Sequence, residues 1–271
     1  MKKNLFILTL IAVTAVLPFN YALRITNYAL TKAQPISEIA EGPKILVLNY
    51  HQIKDGSSYL SVHVNDFDAQ MNYLVNQGYI AITPDALYSA LEGELQLPPK
   101  PVLITFDDGY IDNYTNAFPI LQKYGLRATI FIIPALVGKE GYMNWEQLQE
   151  MENGGITMQS HTLNHIALEE LPDDGIRAEL LNSKILIEER LGHAVDFLAY
   201  PTGTYNLHIA NIAREVGYKG AFTIKYGNVD LGSNLYALER VPIFQTPTPM
   251  KDFYERIEYR QNFEEFGWIK K

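Results

Sequence analysis

Short apolar runs alternate with longer amphipathic segments along most of the chain. The apolar runs are rich in β-branched and aromatic residues, which favour strands. They cover residues 44–50, 79–82, 101–106, 128–133, 155–160, 196–200, 219–224 and 236–243. Between these runs apolar residues recur at helical spacing, as Phe67, Met71 and Leu74 do within residues 66–77. The pattern therefore predicts strands and helices in alternation.

Other segments between the apolar runs have the same helical spacing, and a glycine follows most of the predicted helices. The segments are residues 84–92, 113–124, 145–153, 175–191 and 206–216. The glycines are Gly78, Gly125, Gly154, Gly192 and Gly217. Glycine is the residue that most often ends a helix, so these positions are predicted helix ends.

Alternation of strands and helices implies a parallel sheet with helices outside it. About seven or eight such units over about 220 residues fit a closed or partly closed (β/α) barrel. An open doubly wound sheet is the alternative, although no GxGxxG loop follows the first strand. The predicted fold class is therefore α/β, with the barrel as its form.

The first 22 residues have the pattern of an export signal. Two lysines precede a mostly apolar run from Leu5 to Pro18, which is shorter than the roughly 20 residues of a transmembrane helix. Residues 1–22 are therefore predicted to be a signal peptide or an uncleaved signal anchor, with a buried amphipathic helix as the alternative. Residues 23–43 are predicted to be a tether, and residues 44–271 the working domain. That domain is expected outside the cytoplasm, secreted or held at the cell membrane by the N-terminal segment.

Composition argues against nucleic-acid binding and excludes any feature built on cysteine. The net charge is −9 and no lysine or arginine cluster is present, which argues against binding to nucleic acid. The chain has no cysteine, so disulfide frameworks and thiolate metal sites are excluded.

Polar residues follow four of the predicted strands. They are His51, the pair Asp107 and Asp108, His161 with His165 four residues later, and the run from Tyr200 to Gly203. In a β/α barrel the catalytic groups cluster at the carboxyl ends of the strands. These side chains are therefore the candidates for a functional site.

The two histidines and a carboxylate are typical of a hydrolytic metal site. His161 and His165 can point at one atom if the backbone between them makes a helical turn. Two imidazoles and a carboxylate leave an open coordination position, which is common for Zn²⁺, although the same ligands accept Co²⁺, Ni²⁺ or Fe²⁺. An HxxxH pair alone is a weak signal, and the aspartates on another strand strengthen it. One divalent ion is therefore expected, most simply Zn²⁺.

Asp107 and Asp108 end a predicted strand, where two adjacent carboxylates are costly to bury without compensation. Successive side chains of a regular strand face opposite sides, and Gly109 allows the turn that would bring both acids to one pocket. One acid would bind the metal while the other stays free to accept a proton. An Asp-Gly turn that caps a helix is the alternative.

The motifs TFDDG, HTLNH and YPTG resemble, in order and spacing, those of the polysaccharide deacetylases of NodB-homology type, carbohydrate esterase family 4. The resemblance covers about residues 44–245 and implies a distorted (β/α)7 barrel. It implies Asp107 as the general base. It also implies Asp108, His161 and His165 as the metal ligands. The implied reaction is hydrolysis of an N-acetyl group on an amino sugar with release of acetate, so the working domain is predicted to be a polysaccharide deacetylase domain.

Two departures from the family pattern concern groups near the base. The third motif usually has an arginine before its proline, which pairs with the base, whereas AYPTG has Ala199 there and Thr202 where an aromatic residue is common. Arg240 is the nearest candidate to supply the charge and tune the base, and a surface or structural arginine is the alternative. The family's general acid is normally a histidine near the C-terminus, but no histidine follows His208.

His51 is the candidate for that general acid. The segment LVLNYHQI resembles the N-terminal motif of the poly-β-1,6-N-acetylglucosamine deacetylases of bacterial biofilm, in which the acid comes from the start of the domain. Because His51 follows a strand, its side chain is expected at the same face of the barrel. A buried histidine satisfied by local backbone is the alternative.

The remaining candidates are assigned to the substrate. A backbone N–H of Thr202 or Gly203 is expected to stabilise the oxyanion, with Tyr200 and Pro201 beside it. The expected substrate is an N-acetylglucosamine polymer, poly-β-1,6-N-acetyl-D-glucosamine first, and peptidoglycan or a chitin-like chain as the close alternatives. A non-catalytic polysaccharide-binding module is an alternative of another class. A glycosidase that uses the two aspartates is a further one, but it leaves the histidines unexplained.

Overall fold

The computed structural model describes residues 44–259. Within them the strands are β1 (Leu46–Tyr50), β2 (Gln52–Ile53), β3 (Ser61–Val62), β4 (Ile80–Ala81), β5 (Pro101–Asp108), β6 (Ala128–Ile132), β7 (Ile156–Ser160), β8 (Phe197–Ala199), β9 (Gly220–Tyr226) and β10 (Leu238–Pro242). The α-helices are α1 (Val64–Asn76), α2 (Pro84–Leu91), α3 (Phe118–Tyr124), α4 (Trp145–Asn153), α5 (Asp173–Leu191), α6 (Leu207–Val216) and α7 (Pro249–Tyr254). Short 3₁₀ or π-helical segments cover Asn113–Ala117, Pro134–Leu136, Leu168–Glu170, Pro201–Gly203 and Glu255–Tyr259.

Seven parallel strands close into a ring. Their order is β1, β10, β9, β8, β7, β6 and β5, and β5 pairs back with β1. That closing pair runs in register from Leu46 with Val102 to Tyr50 with Phe106. β4 pairs with the first two residues of β5 and takes no part in the ring. The predicted (β/α)7 barrel is therefore confirmed, and the open doubly wound sheet is wrong because β1 bridges the two ends.

Strand side chains alternate between the barrel interior and the surrounding helices. Phe131 on β6 and Phe222 on β9 belong to strands that are not neighbours, yet their ring centroids lie 5.3 Å apart inside the barrel. Leu103 on β5 shares that interior core, whereas its neighbour Ile104 joins the larger core that includes helix residues such as Phe67. By the same alternation Thr105 and Asp107 follow Leu103 inward, which places a carboxylate at the carboxyl end of the barrel.

The helix ends follow the local sequence. Gly125, Gly192 and Gly217 end α3, α5 and α6 in the left-handed conformation, as their positions predicted. Gly154 ends α4 with a φ of −87°, and the left-handed residue there is Gly155. The short pair β2–β3 and helix α7 were not predicted, because each is too short to show a period.

The predicted export signal, residues 1–22, and the predicted tether, residues 23–43, lie outside the described residues. Across residues 44–259 the structure contains no helix that is both long and apolar enough to cross a membrane.

Candidate active site

A cavity of about 440 Å³ opens at the carboxyl ends of the barrel strands. It is lined by Asn49, His51, Tyr59, Leu60, Asp107, Asp108, Tyr110, His161, His165, Tyr200, Thr202, Gly203, Ile224, Pro242 and Phe244. Its volume lies in the range of small-ligand sites, about 300–1,000 Å³. Eight of the ten predicted site residues line this cavity, and they come from segments far apart in the chain; the other two, Pro201 and Arg240, do not line it.

Both aspartates reach this cavity because the strand ends irregularly. Asp107 continues the inward alternation of β5, so a regular strand would turn Asp108 outward. Instead Asp108 has a φ of 75° and Gly109 a φ of 80°. The turn predicted at Gly109 thus begins one residue earlier, at Asp108 itself. A Cβ on Gly109 would lie 3.2 Å from the Ile132 side chain, which leaves little room for any other residue there.

Asp108, His161 and His165 converge on one point. The Asp108 Oδ1 atom lies 3.5 Å from the Nε2 atom of His161 and 3.5 Å from the Nε2 atom of His165. With bond lengths of about 2.1 Å, tetrahedral ligand atoms lie about 3.4 Å apart. The three side chains therefore fit a divalent ion of the Zn²⁺ type.

The backbone between His161 and His165 is bent and not helical, so the prediction of a helical turn between them is wrong. Thr162 and His165 both have a φ of 62°, which is the left-handed region. His165 donates its backbone N–H to Thr162 Oγ1 at 3.2 Å, which closes the bend. The two imidazole centroids lie 4.7 Å apart. His161 is buried, while His165 is about one-third exposed at the cavity mouth.

The tautomer of His161 follows from its backbone contact. Its Nδ1 atom lies 2.7 Å from the carbonyl oxygen of Ala199. A carbonyl can only accept, so Nδ1 carries the proton and Nε2 keeps its lone pair for a metal. Burial lowers the pKa of His161, and the carboxylates of Asp107 and Asp108 partly oppose that shift. The neutral imidazole is thus the form available as a ligand.

Asp107 is held by a buried arginine. Arg240 on β10 donates Nη1–H to Asp107 Oδ1 at 2.8 Å and Nη2–H to Asp107 Oδ2 at 2.7 Å. Asn49 donates Nδ2–H to the same Oδ2 at 3.0 Å. Burial by itself would raise the pKa of the Asp107 carboxyl, but the Arg240 charge, with smaller effects of His161 and His51, holds that pKa well below its usual range. Asp107 is therefore an ionised carboxylate with a fixed orientation.

Arg240 is itself fixed inside the barrel. Its Nε–H donates to the Thr223 carbonyl at 2.8 Å, and Nη1–H also contacts Thr105 Oγ1 at 3.2 Å. The side chain is fully buried. Ala199 leaves the third-motif position on β8 without a charge, and the structure places Arg240 against the aspartate from β10 instead.

His51 follows β1 directly and lies in the cavity wall. Its carbonyl accepts a hydrogen bond from Asn113 Nδ2 at 2.7 Å, which fixes its backbone. Burial lowers the pKa of His51, while Asp107 and Asp108 act to raise it. A mostly buried imidazole thus shares the cavity with the two carboxylates.

The segment from Tyr200 to Gly203 contains the two backbone amides predicted to stabilise the oxyanion, those of Thr202 and Gly203. Gly203 donates its N–H to the Tyr200 carbonyl at 2.9 Å, so of the two amides predicted for the oxyanion, Thr202 or Gly203, the Gly203 amide already has a partner. Thr202 has a φ of 58° and lines the cavity. Tyr200 donates its hydroxyl to the Tyr236 carbonyl at 3.1 Å and stacks on another tyrosine, which makes it a wall of the cavity. Pro201 is buried and does not line the cavity.

The cavity residues missed from the sequence include Asn49, Ile224 and Phe244. Asn49 lies on β1 two residues before His51, which follows that strand directly, so strand alternation could have found it. Ile224 and Phe244 also line the cavity, and nothing in their chemistry marks them as site residues. Tyr59 lies beside Phe244 with ring centroids 6.0 Å apart, and its side chain is 68% exposed.

Comparisons with known proteins show which family this chain resembles. A family model described as polysaccharide deacetylase matches residues 94–221. The Bacillus subtilis protein YxkH, named as a polysaccharide deacetylase, is 37% identical over 200 residues, covering 74% of this chain and 71% of that protein. A poly-β-1,6-N-acetyl-D-glucosamine N-deacetylase of Staphylococcus aureus is 28% identical over 228 residues, covering 73% of this chain and 78% of that protein.

A solved structure is similar over nearly its whole length. The Streptococcus pyogenes deacetylase PplD in complex with acetate has a TM-score of 0.76 and 32% identity to this chain, covering 80% of this chain and 99% of that one. The matched range of the family model includes Asp107, Asp108, His161 and His165, whereas His51 and Arg240 lie outside it. Those two residues therefore depend on the structure for their place in the site.

Proposed function

The chain belongs to the polysaccharide deacetylase family, and from that premise we propose that it is a metal-dependent hydrolase that removes N-acetyl groups from poly-β-1,6-N-acetyl-D-glucosamine. The single observation that carries the proposal is the cavity in which Asp107, His51 and the Asp108–His161–His165 cluster face one another. The S. aureus relative is named for this substrate, and it shares 28% identity with this chain. A further support is the segment LVLNYHQI, which carries His51 and resembles the N-terminal motif of those deacetylases.

Asp108, His161 and His165 would hold the divalent ion, since their ligand atoms all lie within 4.8 Å of one another. Nitrogen and oxygen ligands in this number accept Zn²⁺ first, and Co²⁺, Ni²⁺ or Fe²⁺ as well. When bound, the ion would supply a Lewis acid for the acetamide carbonyl. The chain's own residues then account for the proton transfers and for the orientation of the substrate.

Asp107 is the general base in this proposal. Its carboxylate takes the proton from the water that attacks the acetamide carbon, which requires an ionised and oriented acid. Arg240 supplies both properties through its paired hydrogen bonds of 2.8 and 2.7 Å. Arg240 therefore acts through Asp107 as a positioning residue.

His51 is the general acid, because an amide nitrogen leaves poorly unless it is protonated. The Thr202 N–H is the donor for the oxyanion that develops on the former carbonyl oxygen. The products are a free amine on the sugar and acetate. The PplD structure, which is 32% identical, contains acetate.

The proposal is tested by acetate release from a defined β-1,6-linked N-acetylglucosamine oligomer, measured with and without a chelator. β-1,4 chitin oligomers and peptidoglycan fragments are the comparison substrates. We expect chelator-sensitive acetate release that is fastest with the β-1,6 oligomer. Release indifferent to chelator contradicts the metal-dependent mechanism, and faster release from a β-1,4 substrate contradicts the choice of polymer.

A second arm separates an enzyme from a binding module. Asp107→Asn keeps the shape of the side chain but removes the base, so acetate release should fall by about 10²–10⁴-fold. Polymer binding, measured by co-sedimentation, should survive in the same variant. Equal acetate release by Asp107→Asn and the wild type would reject Asp107 as the base.

The site of action is proposed to be outside the cytoplasm. The support is the lysine pair followed by the apolar run within residues 1–22. Cell fractionation with N-terminal sequencing of the mature chain tests it, and it distinguishes a cleaved signal from an anchor. Recovery of the intact chain in the cytoplasmic fraction contradicts the proposal.

A further inference from the structure

We propose that Glu179 on α5 is a positioning residue that holds the loop of residues 161–165 in the shape required for metal binding. The inference rests on the metal site proposed above and concerns a residue outside the cavity lining. Glu179 acts on the loop that joins His161 to His165, which are two of the three ligands in that site.

Glu179 makes three hydrogen bonds to the middle of this loop. Its Oε2 atom accepts the backbone N–H of Asn164 at 2.9 Å, and its Oε1 atom accepts the Asn164 side-chain Nδ2–H at 2.6 Å. The Glu179 backbone carbonyl accepts the N–H of Leu163 at 3.2 Å. One helical residue therefore fixes the two loop positions directly before His165.

The Glu179 carboxylate is buried, with 6% of the residue exposed. A buried carboxylate is costly unless hydrogen bonds compensate it, so the two bonds from Asn164 are what make this position tolerable. Hydrogen bonds to an ionised acceptor are roughly twice as strong as those between neutral groups. The contact therefore holds the loop more firmly than a glutamine at the same position.

The loop needs such a hold because its backbone is strained. Thr162 and His165 both adopt a φ of 62°, and left-handed residues other than glycine persist only where their surroundings impose them. A second contact from α5 lies one helical turn beyond Glu179, where Ser183 Oγ is 2.8 Å from Ser160 Oγ. Ser160 Oγ in turn accepts the Thr162 N–H at 3.2 Å. Helix α5 thus holds the loop at its start and at its centre.

The positions of His161 and His165 depend to different degrees on the hydrogen bonds from Glu179. His161 is oriented by its own bond to the Ala199 carbonyl at 2.7 Å. His165 is about one-third exposed, and its position 3.5 Å from Asp108 depends on the bend that Glu179 fixes. Removal of the Glu179 contact should therefore loosen one ligand out of three. Loss of an outer partner of this kind typically lowers metal affinity by about 10–100-fold.

The test measures metal binding by the full chain, independently of activity. Glu179→Gln keeps one acceptor but turns an NH₂ group towards a donor, and Asn164→Ala removes the partner from the exposed side of the contact. Glu189→Gln is the matched control, since it is an exposed glutamate on the same helix. The dissociation constant for Zn²⁺ is measured by competition with a chelating dye, and the Co²⁺ form is examined by its visible absorption.

We expect Glu179→Gln to bind Zn²⁺ about 10–100-fold more weakly and to change the Co²⁺ spectrum, because one ligand is displaced. Asn164→Ala should shift both measurements in the same direction by less, and Glu189→Gln should match the wild type. Circular dichroism at the working temperature identifies the folded variants. If Glu179→Gln does not fold, Asn164→Ala alone decides, because its substitution lies at the surface.

The proposal is overturned if the folded variants bind Zn²⁺ as tightly as the wild type and keep the same Co²⁺ spectrum. A wild-type chain that binds neither ion overturns it as well. A wild-type chain that binds Zn²⁺ but releases no acetate rejects the proposed function instead. In that case a weaker Zn²⁺ affinity of Glu179→Gln still supports the role of Glu179.

Discussion

Arg240 and Asp107 form a paired hydrogen-bond contact inside the barrel, although their strands are not adjacent. Arg240 lies on β10 and Asp107 on β5, and β1 lies between these strands in the ring. Both side chains are almost fully buried, at 0% and 2%. The contact therefore joins two sides of β1 through the barrel interior. It is at once part of the candidate site and part of the core.

Loss of Arg240 should destabilise the fold as well as the site. Arg240→Met leaves the Asp107 carboxylate buried without its cation, which should cost about 3–5 kcal/mol in the free energy of unfolding. Arg240→Lys keeps the charge but cannot donate in parallel to both oxygens, so its loss should be intermediate. Urea denaturation measures both variants.

The matched control for this prediction is Arg214→Met on α6. Arg214 is exposed and donates one hydrogen bond to Asn211 at 3.1 Å. Substitutions of this kind usually change the free energy of unfolding by less than about 0.5 kcal/mol. Equal losses for Arg240→Met and Arg214→Met would show that the buried pair does not contribute as argued.

The barrel was predictable because its signal is repeated along the chain. Each apolar run and each helical segment adds to the same alternation, and errors at single boundaries do not alter it. The end of β5 shows where this kind of evidence stops. A turn was predicted at Gly109, whereas the backbone leaves the strand at Asp108, with a φ of 75°. Periodicity specifies which face a residue takes, but it cannot show where a strained residue breaks the period.

The site was predictable only as far as its residues have distinctive chemistry. Asp107, His161 and His165 stand out because carboxylates and imidazoles at strand ends are uncommon without a role. Arg240 could be named as a candidate partner of Asp107, but the sequence could not establish the contact. The two residues lie 133 positions apart, and only closure of the barrel brings them together. The Phe244 side chain has no distinctive chemistry, and it lines the cavity only because the strands close into a ring.

His51 should affect turnover without affecting metal binding. His51→Gln removes the proposed proton donor, so acetate release should fall by about 10²–10⁴-fold. Its Zn²⁺ affinity should stay at the wild-type value, because His51 is not among the three clustered ligands. Steady-state kinetics and Zn²⁺ titration of the same preparation check both parts.

His63→Gln is the control for His51. His63 lies in a loop, with Nδ1 2.8 Å from the Asp55 carboxylate, and does not line the cavity. We expect its activity to match the wild type. A His51→Gln variant that binds less Zn²⁺ in proportion to its lost activity would place His51 in the metal site and contradict its role as the acid.

Tyr59 and Phe244, which form an aromatic pair in the cavity lining, should contribute to substrate binding more than to turnover. Tyr59 is 68% exposed beside Phe244, so its flat face is available to a sugar ring. Tyr59→Ala should raise KM for a β-1,6 oligomer by about 2–10-fold, corresponding to about 0.5–1.5 kcal/mol for an aromatic contact. The value of kcat should stay near the wild type.

Leu207→Ala, at an apolar position that is 74% exposed and away from the cavity, is the control. A fall in kcat with an unchanged KM would contradict a binding role for Tyr59.

His193 forms a contact away from the site that should make stability depend on pH. Its Nε2 atom lies 2.5 Å from the Glu152 carboxylate, and its Nδ1 atom lies 2.9 Å from the Ala194 carbonyl. Both partners are acceptors, so the doubly protonated imidazolium satisfies both contacts. The contact with the Glu152 carboxylate raises the pKa of His193 in the folded chain, and partial burial opposes this only in part.

The sign of the pH dependence follows from that raised pKa. The folded state holds the proton more tightly than the unfolded state, so the contact stabilises fully below the unfolded pKa of about 6.5 and is lost as pH rises through the folded value. His193→Gln should therefore lower Tm at pH 5.5 by about 2 °C, since a partly exposed pair contributes less than about 1 kcal/mol, and should lower it less at pH 9. Differential scanning calorimetry at the two pH values measures the difference.

His208→Gln is the control, because the exposed pair of His208 with Asp173 spans 2.8 Å, and it should change Tm little at either pH. An equal loss of Tm by His193→Gln at both pH values would mean that the side chain stabilises by packing and that its charge has no part in the contact.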